Sequence, residues 1–302
     1  MTQPRIGIVG LGSIAQKAYL PVLSHAGRWQ LRGAFSPGQQ KAAAVCAAYR
    51  ITPFASLMAL ADECDALFVH SSTASHFEVV SALLRAGKHV YVDKPLAGTL
   101  AQAEQLVELA ARRGLHLMVG FNRRFAPVYQ QIKQQMSGPA SIRMDKHRCD
   151  GIGPHDARFT LLDDYLHVID TALWMSGETL ELQSGGLRVN DAGQLIYAGH
   201  QFRAGACQVA TSMHRAAGSQ RETLQVVMQG AIYDAADLRR LQVERQGVLS
   251  ESPAPGWQTT LEQRGFTGAI GHFIDCLEQN RAPLTSGDQA LAAQRLVESL
   301  LP

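Results

Sequence analysis

Residues Arg5–Gly12 read RIGIVGLG and run on into Ser13-Ile14-Ala15. A short apolar, β-branched stretch, a Gly-x-Gly turn and a helical run form the opening of a dinucleotide-binding βαβ unit. Gly10 permits the tight turn and Gly12 lets the backbone approach a pyrophosphate. Ala15, in the third position, keeps helix and strand close. The amides that open the helix then face the phosphates. A structural glycine turn after a strand would satisfy the same pattern. The binding reading is favoured because a complete βαβ pattern follows.

LRGAFS reads as a second strand and Gln39–Tyr49 as its helix. Ala66–His70 (ALFVH) is a buried strand, with a helix from His76 to Ala86 behind it. HVYV runs into Asp93-Lys94-Pro95, a helix over Leu100–Arg113 closes on Gly114, and LHLMVGF is a further strand. Pro21 is expected to bend the first helix, Ile14–His25. Such alternation predicts a parallel, doubly wound sheet that binds ligands at the carboxyl ends of its strands.

Near Asn122 the pattern changes. Helices over Ala126–Met136 and Thr160–Met175 flank a strand over Ala140–Arg148. Alternating segments follow: LRVN, QLIYAGHQFR, CQVATSMHR and ETLQVVMQG, the first two joined by a hairpin signal at Asn190-Asp191-Ala192-Gly193. This is α+β chemistry with one large, mostly antiparallel open sheet. Helices near Thr260–Glu278 and Asp288–Leu300 complete it. The expected domains are 1–121 and 122–302.

A formal charge of +2 is too small to suggest nucleic acid or a membrane surface as partner. No apolar stretch is long enough to cross a bilayer, and the first strand begins before a signal peptide could fit. The five cysteines are far apart, form no CxxC pair and are odd in number. Reduced thiols in a cytoplasmic protein are the simplest expectation.

Four groups of residues carry candidate chemistry. Lys94 follows a strand end, where an ammonium can stabilise a substrate oxygen that gains charge; a solvated lysine paired with Asp93 is the plainer alternative. In LLDDYLHVIDTALW, Asp163 and His167 are one helical turn apart and Asp170 a turn further on. A carboxylate there can orient an imidazole that exchanges a proton near neutral pH, or His167 can be a satisfied, half-buried side chain. No HExxH spacing is present and no metal is expected. GFNRRF contributes Asn122 and Arg123, and Met144–His155 contributes Lys146, His147 and Arg148. These could contact an anionic or polyhydroxylated substrate, or be solvated.

In this order, GLGSIA, SSTASHFEVVSALLRAGKHVYVDKPLA, GFNRRF and DDYLHVID resemble the motifs of the Gfo/Idh/MocA oxidoreductase family, closest to its MviM-type subgroup. The resemblance spans essentially the whole chain. It implies an N-terminal Rossmann domain and a C-terminal domain that binds substrate and forms homo-oligomers, dimers or tetramers. It makes Lys94, Asp163 and His167 the catalytic residues. It places Gly10, Gly12, Ser13, Ile14, Ser36, Ser71, Ser72, His76, Asp93, Lys94 and Asn122 along the cofactor. Arg123, Lys146, Arg148 and Tyr165 are the expected substrate contacts. Three residues depart from the family pattern: Asp93 stands for glutamate, Tyr165 for glycine and Ser72 for proline.

An acid at the tip of the second strand would oppose a 2′-phosphate. Ser36 occupies that position, so NADP is favoured over NAD. The implied activity is hydride transfer between a nicotinamide cofactor and a sugar, polyol or related hydroxyl/carbonyl compound. Two alternatives stay open: a non-catalytic NAD(P)-binding sensor or assembly protein, and an NAD-dependent glycoside hydrolase of the same fold.

Overall fold

The computed structural model describes residues 3–301. The chain divides into two compact units, one holding the residues up to Phe121 together with Phe266–Ala292, the other Asn122–Gly265 with the chain from Ala293 onward.

In the first unit five strands form a parallel sheet in the order β2-β1-β3-β4-β5. These are β1 (Arg5–Val9), β2 (Gln30–Phe35), β3 (Ala66–Val69), β4 (His89–Val92) and β5 (Leu117–Val119). β3 is buried at every position and β1 beyond its first residue, as strands covered on both faces require. Helix Leu100–Arg113 keeps the expected bounds. Thr99 caps its start by accepting the Gln102 N–H at 3.3 Å, and Gly114, with φ +64°, ends it.

The first helix departs from the expected proline bend. Ala15–Tyr19 is a π-helical turn that leads into Leu20–Leu23, and the Leu20 N–H reaches back to the Ala15 carbonyl. Pro21 sits in the first turn of the second piece, where its missing N–H does least harm.

The two compact units interleave along the chain. Helix Phe266–Gln279 packs in the first unit, where Phe273 meets Phe68 and Tyr91 edge-on at ring-centroid distances of 5.4 and 5.7 Å. Its buried stripe of Ala269, Ile270, Phe273 and Ile274 needs an apolar surface to cover, and that sheet provides one.

Eight strands form the sheet of the second unit, in the order β13-β12-β11-β10-β6-β9-β8-β7. They are β6 (Ser141–His147), β7 (Glu181–Val189), β8 (Leu195–Ala204), β9 (Cys207–His214), β10 (Arg221–Met228), β11 (Ala231–Ala236), β12 (Arg240–Arg245) and β13 (Val248–Pro253). Only β6 and β9 pair in parallel. The β7–β8 hairpin turns at Asn190–Gly193 as expected, with Gly193 at φ +72°. Ala198, His200 and Phe202 of β8 face the core, whereas Gln201 and Arg203 are exposed on the open face. The expected helix Thr160–Met175 is observed in three pieces: Ala157–Thr160, a π-helical turn at Leu161–Tyr165, and Leu166–Ser176, ended by Gly177 at φ +73°.

Candidate functional site

At the carboxyl end of β1 the chain turns through Gly10, whose N–H donates to the Phe35 carbonyl at 2.8 Å. Gly10 has φ +88°, and a Cβ there would lie 2.6 Å from the Ser71 nitrogen. This residue must be glycine for two reasons, backbone sign and close approach. Gly12 differs, because a Cβ built on it meets nothing within 4 Å. The turn therefore has open space over Gly12, with Ser13 and Ile14 exposed at the start of the helix. The residues present fit a dinucleotide: the open space over Gly12, at the start of a helix, would admit a pyrophosphate. Ser36, partly exposed, directly follows the second strand and presents no carboxylate.

Past β3, Ser75 Oγ lies 2.8 Å from both Ser71 Oγ and the Ser72 carbonyl, donating to one of them at a time and tying the loop to its helix. His76 is buried between the carbonyls of Pro95 (2.8 Å from Nδ1) and Ser71 (3.0 Å from Nε2). Burial lowers its pKa, and the two carbonyl contacts oppose that shift. A neutral imidazole donates to only one of them at a time. His76 thus braces the Ser71 loop against the Lys94-Pro95 turn, whose peptide is cis.

Asp93 anchors the same turn from below. Its Oδ1 accepts from Tyr19 Oη at 2.7 Å and its Oδ2 pairs with His70 Nδ1 at 2.9 Å. Tyr19 stacks on His70 at 3.7 Å and its hydroxyl lies 3.2 Å from that of Tyr91. Burial works against the Asp93 charge, yet His70 and Tyr19 outweigh it and hold the carboxyl below its ordinary range. A Cβ on Gly120 would sit 3.1 Å from Asp93 Oδ1 and from both tyrosine hydroxyls, so glycine makes room for the cluster. Lys94 is partly exposed beside it. Sequence reasoning missed Tyr19, His70 and Tyr91, which look like ordinary core residues along the chain.

In the second unit the buried carboxylate is Asp164 and not its neighbour. It accepts from Lys146, Arg215 and Arg148, with Arg148 Nε at 3.0 Å and Nη2 at 3.1 Å. Burial would raise its pKa, but Lys146 and Arg148 drive it well below the carboxylate range. Burial and the nearby Arg123 push Lys146 down to about 7 against the pull of Asp164. Asp163 is exposed, whereas His167 is buried and its carbonyl accepts from Thr171 Oγ1 at 2.7 Å. Asp170 is buried under the Arg124 fork, at 2.6 and 3.1 Å, and burial raises its pKa against that arginine.

Two of the expected substrate contacts, Tyr165 and Arg123, lie in the core. Tyr165 is fully buried, its hydroxyl bonded to His200 Nδ1 at 2.8 Å and Thr211 Oγ1 at 2.6 Å, so it joins helix to sheet. Arg123 is buried in a two-bond pair with Glu222, and Tyr129 adds a third donor to that carboxylate. Both side chains are committed to the core, because a buried polar group must find its partner within the protein. Asn122, expected along the cofactor, donates to the Arg264 carbonyl at 2.6 Å. Lys146 and Arg148 do line a cavity of about 260 Å³, together with Glu222, Arg239, Gln263 and Arg264. Among the described residues no group of His, Cys, Asp and Glu could hold a metal ion, and no helix is long and apolar enough to cross a membrane.

Residues 4–121 match the model of the Gfo/Idh/MocA oxidoreductase family, described as an NAD-binding Rossmann fold, and residues 127–246 match the YceM-like C-terminal domain. YceM of Salmonella typhimurium is 59% identical over 98% of this chain and 96% of its own. The chain belongs to the Gfo/Idh/MocA oxidoreductase family. The crystal structure of the MviM dehydrogenase from Clostridium difficile superimposes with TM-score 0.96 at 43% identity, covering 98% of each chain. A UDP-N-acetylglucosamine 3-dehydrogenase of Acidithiobacillus ferrooxidans is 28% identical over 62% of this chain and 59% of its own. This Gfo/Idh/MocA protein is thus an oxidoreductase whose Rossmann unit serves NAD or NADP.

Proposed function

We propose that the protein is an NADP-preferring dehydrogenase of a sugar, polyol or related hydroxyl/carbonyl compound. The observation that carries the reading is the glycine turn. Gly10 is pressed against the Ser71 backbone while Gly12 opens on free space at a strand end. The naming of a relative as UDP-N-acetylglucosamine 3-dehydrogenase supports the substrate class. The bound dinucleotide supplies the hydride donor or acceptor.

The chain supplies orientation and proton handling. Lys94, on a turn braced by His76 and anchored through Asp93, stabilises the alkoxide that develops as hydride moves. His167, oriented by Asp163 as the family motif implies, exchanges the hydroxyl proton. Lys146 and Arg148 select the substrate. The exposed face of the eight-stranded sheet is the surface for a homo-oligomer, and the cytoplasm is the site of action.

Titration of the purified protein with NADPH and NADH, followed by cofactor fluorescence, tests the reading. Tighter binding of NADPH is expected. Tighter NADH would overturn the role of Ser36 alone, and binding of neither, with no cofactor co-purified, would overturn the dehydrogenase.

A further inference from the structure

The cavity in the second unit has an imbalance of charge. Lys146, Arg148, Arg221, Arg239 and Arg264 line it, against Glu222 and Asp237. Both acids are engaged already: Glu222 takes the Arg123 fork, and Asp237 Oδ1 accepts the Glu222 backbone N–H at 2.9 Å. Behind the wall, Asp164 serves Lys146, Arg148 and Arg215 together. Arg221, which is exposed, and Arg264, which is partly buried, are left over, for neither guanidinium makes a hydrogen bond or ion pair among the described residues. Glu222 attracts Arg264 across the cavity, but both oxygens of that carboxylate are already held by Arg123, and an arginine packed among other cations is unfavourable unless a further anion completes it.

We propose that this cavity binds the oxyanion of the substrate, a phosphoryl or carboxylate group on a polyhydroxylated skeleton. The inference rests on the dehydrogenase reading and narrows it to anionic substrates. A guanidinium fork matches the paired oxygens of either group, and Arg264, Arg239 and the exposed Arg221 have donors to spare. Arg239 spends only its Nε, on Gln263 Oε1 at 3.0 Å. The volume of about 260 Å³ suits one end of a substrate. Pockets for whole drug-sized ligands run to about 300–1,000 Å³. Burial and its cationic neighbours lower the Arg264 pKa, as they lower that of Lys146. An anion in the cavity would relieve both.

The test uses the full chain with inorganic phosphate and acetate as probes, following arginine Nε–H signals by NMR. The Arg264 signal is identified by its loss in Arg264→Gln. A saturable shift of that signal is expected with at least one anion, and phosphate against acetate tells a phosphoryl from a carboxylate ligand. Arg239→Gln is expected to weaken the affinity about tenfold. Arg264→Gln should weaken it at least as much, read from the remaining arginine signals. No saturable shift up to ~50 mM of either anion, or unchanged affinity in both variants, overturns the proposal. NADPH titration of the same samples separates the two readings. Retained NADPH binding with no anion binding sinks only the oxyanion site, whereas loss of NADPH binding in the unmodified chain strikes the dehydrogenase itself.

Discussion

Arg123 and Glu222, 99 residues apart in sequence, meet in two parallel hydrogen bonds of 2.7 Å, with both side chains buried. The pair fastens the segment after β5 to β10. It also withdraws from solution an arginine whose place in GFNRRF suggested substrate contact. Burial raises the Glu222 pKa, but Arg123 overcomes this and brings it down to about 2 from 4.5.

Glu222→Gln should therefore destabilise the protein by about 3–5 kcal/mol, because it strands a buried guanidinium. The pH dependence has a definite sign. A carboxyl depressed in the folded state contributes stability in full above its unfolded value near 4.5, and loses it as pH falls towards about 2. Denaturant midpoints across that range should fall more steeply for the unmodified chain than for Glu222→Gln. Parallel curves would show that the pair carries no net weight.

Gly10 and Gly12 should fail in different ways. Gly10→Ala forces a Cβ within 2.6 Å of backbone at φ +88°, so unfolding temperature should drop with the fold itself. The Cβ of Gly12→Val would meet no neighbour within 4 Å, and the variant should leave the unfolding temperature of the apo-protein nearly unchanged. It should cost cofactor affinity by about tenfold or more, because its methyls occupy the space needed by a pyrophosphate. Fluorescence titration and a thermal melt on each variant separate the effects.

Lys94→Ala should lower kcat by about 100-fold or more while changing the NADPH dissociation constant by less than about threefold. An interaction made only as charge develops affects turnover and spares binding. Steady-state kinetics on a substrate found by a sugar and polyol screen, beside cofactor titration, decides it. Near-normal turnover would remove Lys94 from the chemistry.

Tyr165→Phe should leave substrate preference unaltered, because the hydroxyl is spent on His200 and Thr211 inside the core. The expected cost is stability, about 1–3 kcal/mol, as those two groups lose a buried partner. A changed ranking of substrates with unaltered stability would return Tyr165 to the substrate pocket.

The Rossmann half was legible because its information is local. RIGIVGLG, ALFVH and HVYV are apolar runs bounded by turn residues, and Thr99 and Gly114 mark helix ends by their own chemistry. β11, β12 and β13 were not legible, since segments such as VLSESP are short, polar and exposed along their length. Their existence depends on pairing with a neighbour. The π-helical turn Leu161–Tyr165 was hidden too, for its composition is that of any helix. In the candidate site, Lys146 carried a signal that went unused. The alternation of Ser141–His147 puts Ile142, Met144 and Lys146 on one face, and that face is buried.

Residue order by itself determined the family, the parallel sheet, the glycine turn and the positions of Lys94 and His167, because each is written in neighbouring residues whose spacing matches a backbone period. Tertiary structure alone decided that Asp164 and not Asp163 is the buried carboxylate, and that Arg123 and Tyr165 belong to the core. It also decided that Phe266–Gln279 joins the first unit and that Arg264 faces a cavity whose carboxylate, Glu222, is already held by Arg123. The physical reason is common to these cases. Burial sets the cost of a charge or a hydroxyl, and partners brought from distant parts of the chain determine how that cost is met.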